Sequence, residues 1–135
     1  MTFSLRKSLL YLAAPALQVC FTAQSAHAQV TLTGPSTKQS PYLLPLIQAF
    51  KTVSILSAND SVGGYKMSGV PDGLGAFDNG DGTFTLLMNH ELQSTQGVVR
   101  AHGSIGAFVS KWVIRKNNLK VVSGADLIQQ VNLWN

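Results

Sequence analysis

Cysteine is almost missing from the 135 residues: Cys20 is the only one. No pair exists to close a disulfide, and no Cys-x-x-Cys unit exists to hold zinc or cycle thiols. Charge is scarce as well. Asp, Glu, Lys and Arg make up 12% of the chain, with ten cations against six anions. No basic stripe with interleaved aromatics occurs, so nucleic acid is not an expected partner. No apolar run reaches the roughly 18–20 residues that span a bilayer, so stable membrane insertion is not expected either. A phosphate-cradling P-loop is missing, and no internal repeat stands out at this length.

What is present starts with an address. Arg6 and Lys7 precede a largely apolar stretch over residues 9–21, and Ala26-His27-Ala28 places small residues at a cleavage position. Charge, apolar core and small residues in that order make a secretory signal peptide, so residues 1–28 are expected to be removed. The product is then secreted or periplasmic. Val19 before Cys20 does not suit lipoprotein processing, and Arg6-Lys7 is not the paired arginine of the export route for folded proteins. Removing 28 of 135 residues leaves 107, without Cys20, Arg6 or Lys7, so eight cations face six anions and the formal charge falls from +4 to +2. An exported chain with no cysteine must draw its stability from packing, metal or partners.

Beyond the leader, residues 31–41 are rich in Thr, Ser, Pro and Gly and read as an extended segment. "PYLLPLIQAF" follows; Pro41 could open a helix after Ser40, but Pro45 sits too far inside one, so a short helical turn and an irregular apolar lid remain equal alternatives. From residue 52 the apolar period becomes two. "TVSIL" reads as a short strand, and residues 57–73 as loop with one short strand at most. "LGAF" and "TFTLLM" flank "DNGDG", whose Asn-Gly and Asp-Gly steps supply the positive φ of a hairpin turn. Residues 106–115 alternate as a strand, "KNN" turns the chain, and "LKVVSG" returns. Residues 125–134 fit a helix or an irregular edge. The class is therefore mostly β, with short antiparallel strands and hairpins, in three regions: 1–28 signal peptide, 29–51 leader with a helical or irregular apolar segment, 52–135 β-rich. A propeller needs at least four blades of four strands, and 107 residues supply about two. The chain therefore reads as the front of something longer, holding the first blades of an incomplete propeller.

Several motifs approach a known chemistry and miss. "HELQS" has Ser94 where a zinc protease needs its second histidine. "HGSIG" has His102 where a nucleophile elbow needs glycine, and a strand rather than a helix follows Ser104. "GLGAFD" has Asp78 where a dinucleotide site needs its third glycine. "DNGDG" puts Gly80 and Gly82 at the third and fifth positions, where a calcium loop needs oxygen ligands. Asp72 in "GVPDGLG" reads either as a turn-former or as a carboxylate at a loop mouth.

The strand "TFTLLM" runs directly into Asn89-His90-Glu91. The triplet is either the polar end of a strand meeting solvent or a ligand set. With His102 only eleven residues downstream of Glu91, the four residues Glu91, Asn89, Arg100 and His102 could converge on one rim and suit a calcium-assisted phosphate site.

"FTLLMNHEL" followed by "VVRAHGSIGAFVSKWVI" resembles the PhoX-type secreted alkaline phosphatases, over residues 68–125. The resemblance implies a β-propeller with calcium, and in some members iron, at its axial mouth, and hydrolysis of small phosphomonoesters outside the cytoplasm. It makes Glu91 the first candidate calcium ligand, with Asn89 beside it and His90 near the metal or just behind it. The family's iron site uses a cysteine, which the exported chain lacks, and most of its acidic ligands would lie beyond Asn135. The expected function is thus the N-terminal part of a calcium-dependent phosphatase, inactive alone. The alternative is a secreted, non-catalytic β-propeller-like binding or surface module. A calcium-stabilised domain in which Glu91 is purely structural is the third reading.

Overall fold

A computed structural model describes residues 30–47 and 49–134. The signal peptide expected over residues 1–28 lies outside them. Eight strands follow in chain order and no helix occurs among the described residues. β1 (Thr31–Thr33) pairs in parallel with β2 (Thr52–Ser54), and β3 (Ser61–Val62) forms a small hairpin with β4 (Tyr65–Lys66). β5 (Pro71–Asp78), β6 (Thr83–His90), β7 (Phe108–Arg115) and β8 (Val121–Asp126) form one antiparallel sheet in the order β5-β6-β7-β8.

The period-two pattern sets the register of that sheet. β6 and β7 pair without interruption from Thr83↔Arg115 to His90↔Phe108. This puts Phe84, Leu86, Met88 and His90 on one face, opposite Ile114, Trp112, Ser110 and Phe108. The core forms on that face around Met67, Trp112, Ile114 and Val121, with Ile55, Leu56, Val62 and Tyr65 packed against it. Each fully buried apolar side chain there contributes about 1.5–3 kcal/mol. Tyr65 meets Trp112 edge-on at 5.2 Å and 64°. Gly124 makes this contact possible, since a Cβ on it would lie 2.4 Å from the Trp112 ring and 2.6 Å from that of Tyr65.

The "DNGDG" hairpin forms as its dipeptides require, with Gly80 and Gly82 at φ +79° and +83°. Its acids serve the turn. Asp78 accepts the Gly80 N–H at 2.8 Å and pairs with Lys116, which holds its carboxyl below the usual range. Asp81 accepts from the Thr83 hydroxyl and N–H, with the same effect.

Elsewhere the strands differ from the expected spans. The strand expected over residues 52–56 ends at Ser54, because Ile55 and Leu56 turn inward to the core. The extended leader is partly a strand, since β1 completes its hydrogen bonds on β2. Residues 57–73 were expected to be loop with one short strand at most, whereas Gly63 and Gly64, at φ +57° and +84°, fold two short strands against each other and β5 already begins at Pro71. β6 runs on through Asn89 and His90 rather than stopping at Met88, because Val109 and Phe108 supply register partners. Residues 125 and 126 extend β8, and no helix follows. No helical turn forms in residues 41–47 either.

β5 is the edge of the sheet and every residue of it is exposed. Leu74 and Phe77 are more than half accessible. At the far end of the chain, Val121 N–H donates to Ser36 Oγ at 2.9 Å and ties the segment after β1 to the last strand.

Candidate site at the end of strand β6

Strand alternation splits the Asn89-His90-Glu91 triplet. Asn89 pairs with Val109 on the outer face, whereas His90 turns inward and is 1% exposed. Glu91 follows the strand and is exposed, its N–H bound to the Val70 carbonyl at 3.0 Å. A register shift between Pro71 and Leu74 places Asp72 and Gly73 across from Asn89. A Cβ on Gly73 would lie 2.5 Å from Asn89 Oδ1, so the amide lies against bare backbone. Asp72, Asn89 and Glu91 therefore share one end of the β5–β6 pair, a rim of oxygen-bearing side chains.

This rim carries backbone strain. Val70 adopts φ +49°, a left-handed conformation that a β-branched residue takes at a cost of about 1–3 kcal/mol. Its carbonyl receives Glu91 N–H, so the strained residue holds the candidate ligand's backbone. Val70→Gly is expected to raise stability by about 1 kcal/mol, read from the urea midpoint; a loss would show that side-chain contacts of Val70 outweigh the strain.

His90 has a different task from its neighbours. Nδ1 lies 2.9 Å from the Gly69 carbonyl, which can only accept, so the ring proton sits on Nδ1. Nε2 then accepts from Ser110 Oγ at 2.9 Å, and Ser110 Oγ accepts the Trp112 indole N–H at 2.8 Å. The chain Trp112→Ser110→His90→Gly69 uses both ring nitrogens within the fold. The imidazole also stacks on Phe108 at 4.4 Å with an 8° angle. Burial pushes the His90 pKa down and outweighs the upward pull of the Gly69 bond, while the weaker effects of the Arg100 and Asp126 charges oppose each other.

The sign of the pH effect follows. Above the unfolded value of about 6.5 the ring is neutral in both states. As pH falls below it, the unfolded chain takes up a proton that the folded chain refuses, so stability declines until the folded pKa is reached. Urea unfolding between pH 7.5 and 5 should show this decline, and His90→Gln should flatten it. An equal slope in wild type and His90→Gln would rule out this origin.

Arg100 and His102 do not join the rim. Arg100 lies over the Phe108 ring at 3.6 Å with its side chain 8% exposed, and donates to Ser68 Oγ at 2.6 Å and to Asp126 Oδ1 at 3.5 Å. Asp126 also accepts from the Tyr65 hydroxyl and from Ala101 N–H at 2.8 Å. Burial first, and Asp126 next, push the Tyr65 pKa well up, so the phenol stays a donor. His102 is half-buried in the tight turn that Gly103 N–H closes onto the Arg100 carbonyl. Ser110 was legible in the sequence as the one hydroxyl among Phe108, Trp112 and Ile114, a mark of a buried polar partner. Nothing in the local pattern marked Asp126 as the acceptor for three donors.

Among the described residues, no three His, Cys, Asp or Glu side chains come together closely enough to hold a metal ion. Compared with protein-family models, with curated proteins and with solved structures, the chain matches none.

Proposed function

We propose that this chain contributes one four-stranded blade, and part of a metal-binding rim, to a secreted calcium-dependent phosphomonoesterase, and that it hydrolyses nothing alone. The observation that supports this reading is the rim itself: Asn89 and Glu91 at the end of β6, with Asp72 beside them, on a meander whose β5 edge is bare. A bare edge suits a sheet that has neighbours in a larger assembly of blades.

The residues present do not fit a complete calcium site. Calcium takes six to eight oxygens, and two carboxylates with one amide leave that shell unfilled. Iron has no cysteine here after export. No step of phosphoryl transfer is therefore derived on this chain. A second reading, a secreted β module without catalysis, is favoured by His90, whose two nitrogens serve packing rather than a ligand.

Calcium titration followed by amide NMR tests the choice, alongside 4-nitrophenyl phosphate hydrolysis. The expected result is no hydrolysis above buffer, with shifts at Asn89 and Glu91 that saturate near 10⁻³ M or above and vanish in Glu91→Ala. If calcium moves neither signal, the phosphatase reading loses its site and the non-catalytic module remains.

A further inference from the structure

We propose that residues 41–47 form a membrane-adsorbing loop that holds the exported protein on an anionic lipid surface. The sequence places Tyr42, Leu43, Leu44, Leu46 and Ile47 within six positions, interrupted only by Pro45. In the fold none of these side chains is buried: Tyr42 is 91% and Leu46 95% exposed, and the others exceed half. Scattered exposed leucines are ordinary, but five large apolar side chains standing out from one short loop are not.

The loop is exposed by construction rather than for want of order at its roots. β1 and β2 run parallel, so the chain between them must make a long crossover. Both roots are fixed: Gly34 N–H donates to the Ser54 carbonyl at 2.9 Å, Thr52 N–H to the Val30 carbonyl at 3.2 Å, and Ser54 Oγ to the Gln39 carbonyl. Pro41 and Pro45 then keep the crossover from coiling into a helix that could lay an apolar stripe on the core. The apolar side chains are left pointing into water from a tethered base.

Charge selects the occupant. Residues 30–59 contain Lys38 and Lys51, which flank the loop, and no acid at all. Apolar tips with cations at their base match an interface in which acyl chains lie beneath anionic headgroups, and tyrosine suits the boundary between them. A protein partner would need a matching acidic rim, whereas an anionic bilayer supplies the charge everywhere. The adsorption is shallow and reversible, since about five side chains enter and no segment spans.

The test uses the protein expressed with its own leader, recovered from outside the cytoplasm and with its N-terminus read by mass, so that the apolar stretch of the leader does not confuse the result. Cosedimentation is measured with phosphatidylcholine vesicles and with vesicles containing about 30% phosphatidylglycerol. Binding is expected to the anionic vesicles and to fall in high salt. Leu43→Ser combined with Leu46→Ser should weaken it at least tenfold, and Lys38→Gln with Lys51→Gln by roughly fivefold per lysine. These positions are exposed, so an unchanged urea midpoint confirms that each variant still folds. No vesicle binding by the wild-type protein would overturn the proposal. So would binding unaffected by the leucine pair, or a concentration-dependent dimer that loses its apparent mass in the same variants. None of these outcomes depends on calcium or on phosphatase activity.

Discussion

Trp112→Ala is expected to unfold the protein at 25 °C or bring it to the brink. The indole is 1% exposed and sits at the centre of the only large apolar cluster among the described residues. Its removal takes away the edge contact with Tyr65, the packing over Gly124 and the N–H donated to Ser110. Large-to-small aromatic replacements of this kind cost about 3–5 kcal/mol. Small domains hold only about 5–15 kcal/mol in total, and this core is thin, with no disulfide to supplement it. Loss of near-ultraviolet circular dichroism at pH 7.5, or a urea midpoint close to zero, is the expected reading. Trp112→Phe separates the parts, since it keeps most of the packing and removes the donor, and should cost about 1–2 kcal/mol. A Trp112→Ala midpoint within error of wild type would mean that the sheet is held by something other than this face.

Asp126→Ala should have the second-largest effect. One carboxylate accepts from Tyr65, from Ala101 N–H and from Arg100, and its side chain and that of Arg100 are only 11% and 8% exposed. The 3.5 Å contact with Arg100 is the weakest of the three, so the main loss lies in stranding three donors, one of them charged. Removing one partner of a buried pair costs about 3–5 kcal/mol. Asp126→Asn keeps one accepting oxygen but no charge, and its NH₂ must face a donor. A smaller loss for Asn than for Ala would identify acceptor count as the larger part, and equal losses would identify charge. Chemical denaturation of both variants, with Arg100→Met as the reciprocal change, completes the comparison. Because Tyr65 keeps its proton well into the alkaline range, the wild-type protein should hold this cluster together at pH 9.

Both experiments probe contacts that only part of the sequence announces. The β5–β8 sheet was legible because its signals are local: period-two alternation in Phe84, Leu86 and Met88, and in Phe108, Trp112 and Ile114, with Asn-Gly and Asp-Gly between strands. β1 and β2 were not legible as partners, because a parallel pair closes across a long crossover and leaves no turn to read. The site was legible by composition and not by direction. Three polar residues in a row mark a strand end, yet alternation must send the middle one to the opposite face, and the Val109 and Phe108 partners that extend β6 to His90 lie nearly twenty residues away. The convergence expected of Arg100 and Glu91 failed for a related reason. A stacked Phe108 ring offers a guanidinium a better place than a rim does, and nothing near Arg100 in the chain shows that ring.

The bond between Val121 N–H and Ser36 Oγ joins positions 85 residues apart. A ribosome releases Ser36 well before Val121, so this closure must wait for the 85 positions that separate them to be made. Until β8 arrives, β1 and β2 can meet each other but have nothing to close against, and the crossover between them stays outside any core. Contacts of such separation slow folding, because chain entropy is lost before they form. The segment after β1, near the start of the described residues, can complete its tie to β8 only once the last strand of the sheet has been made.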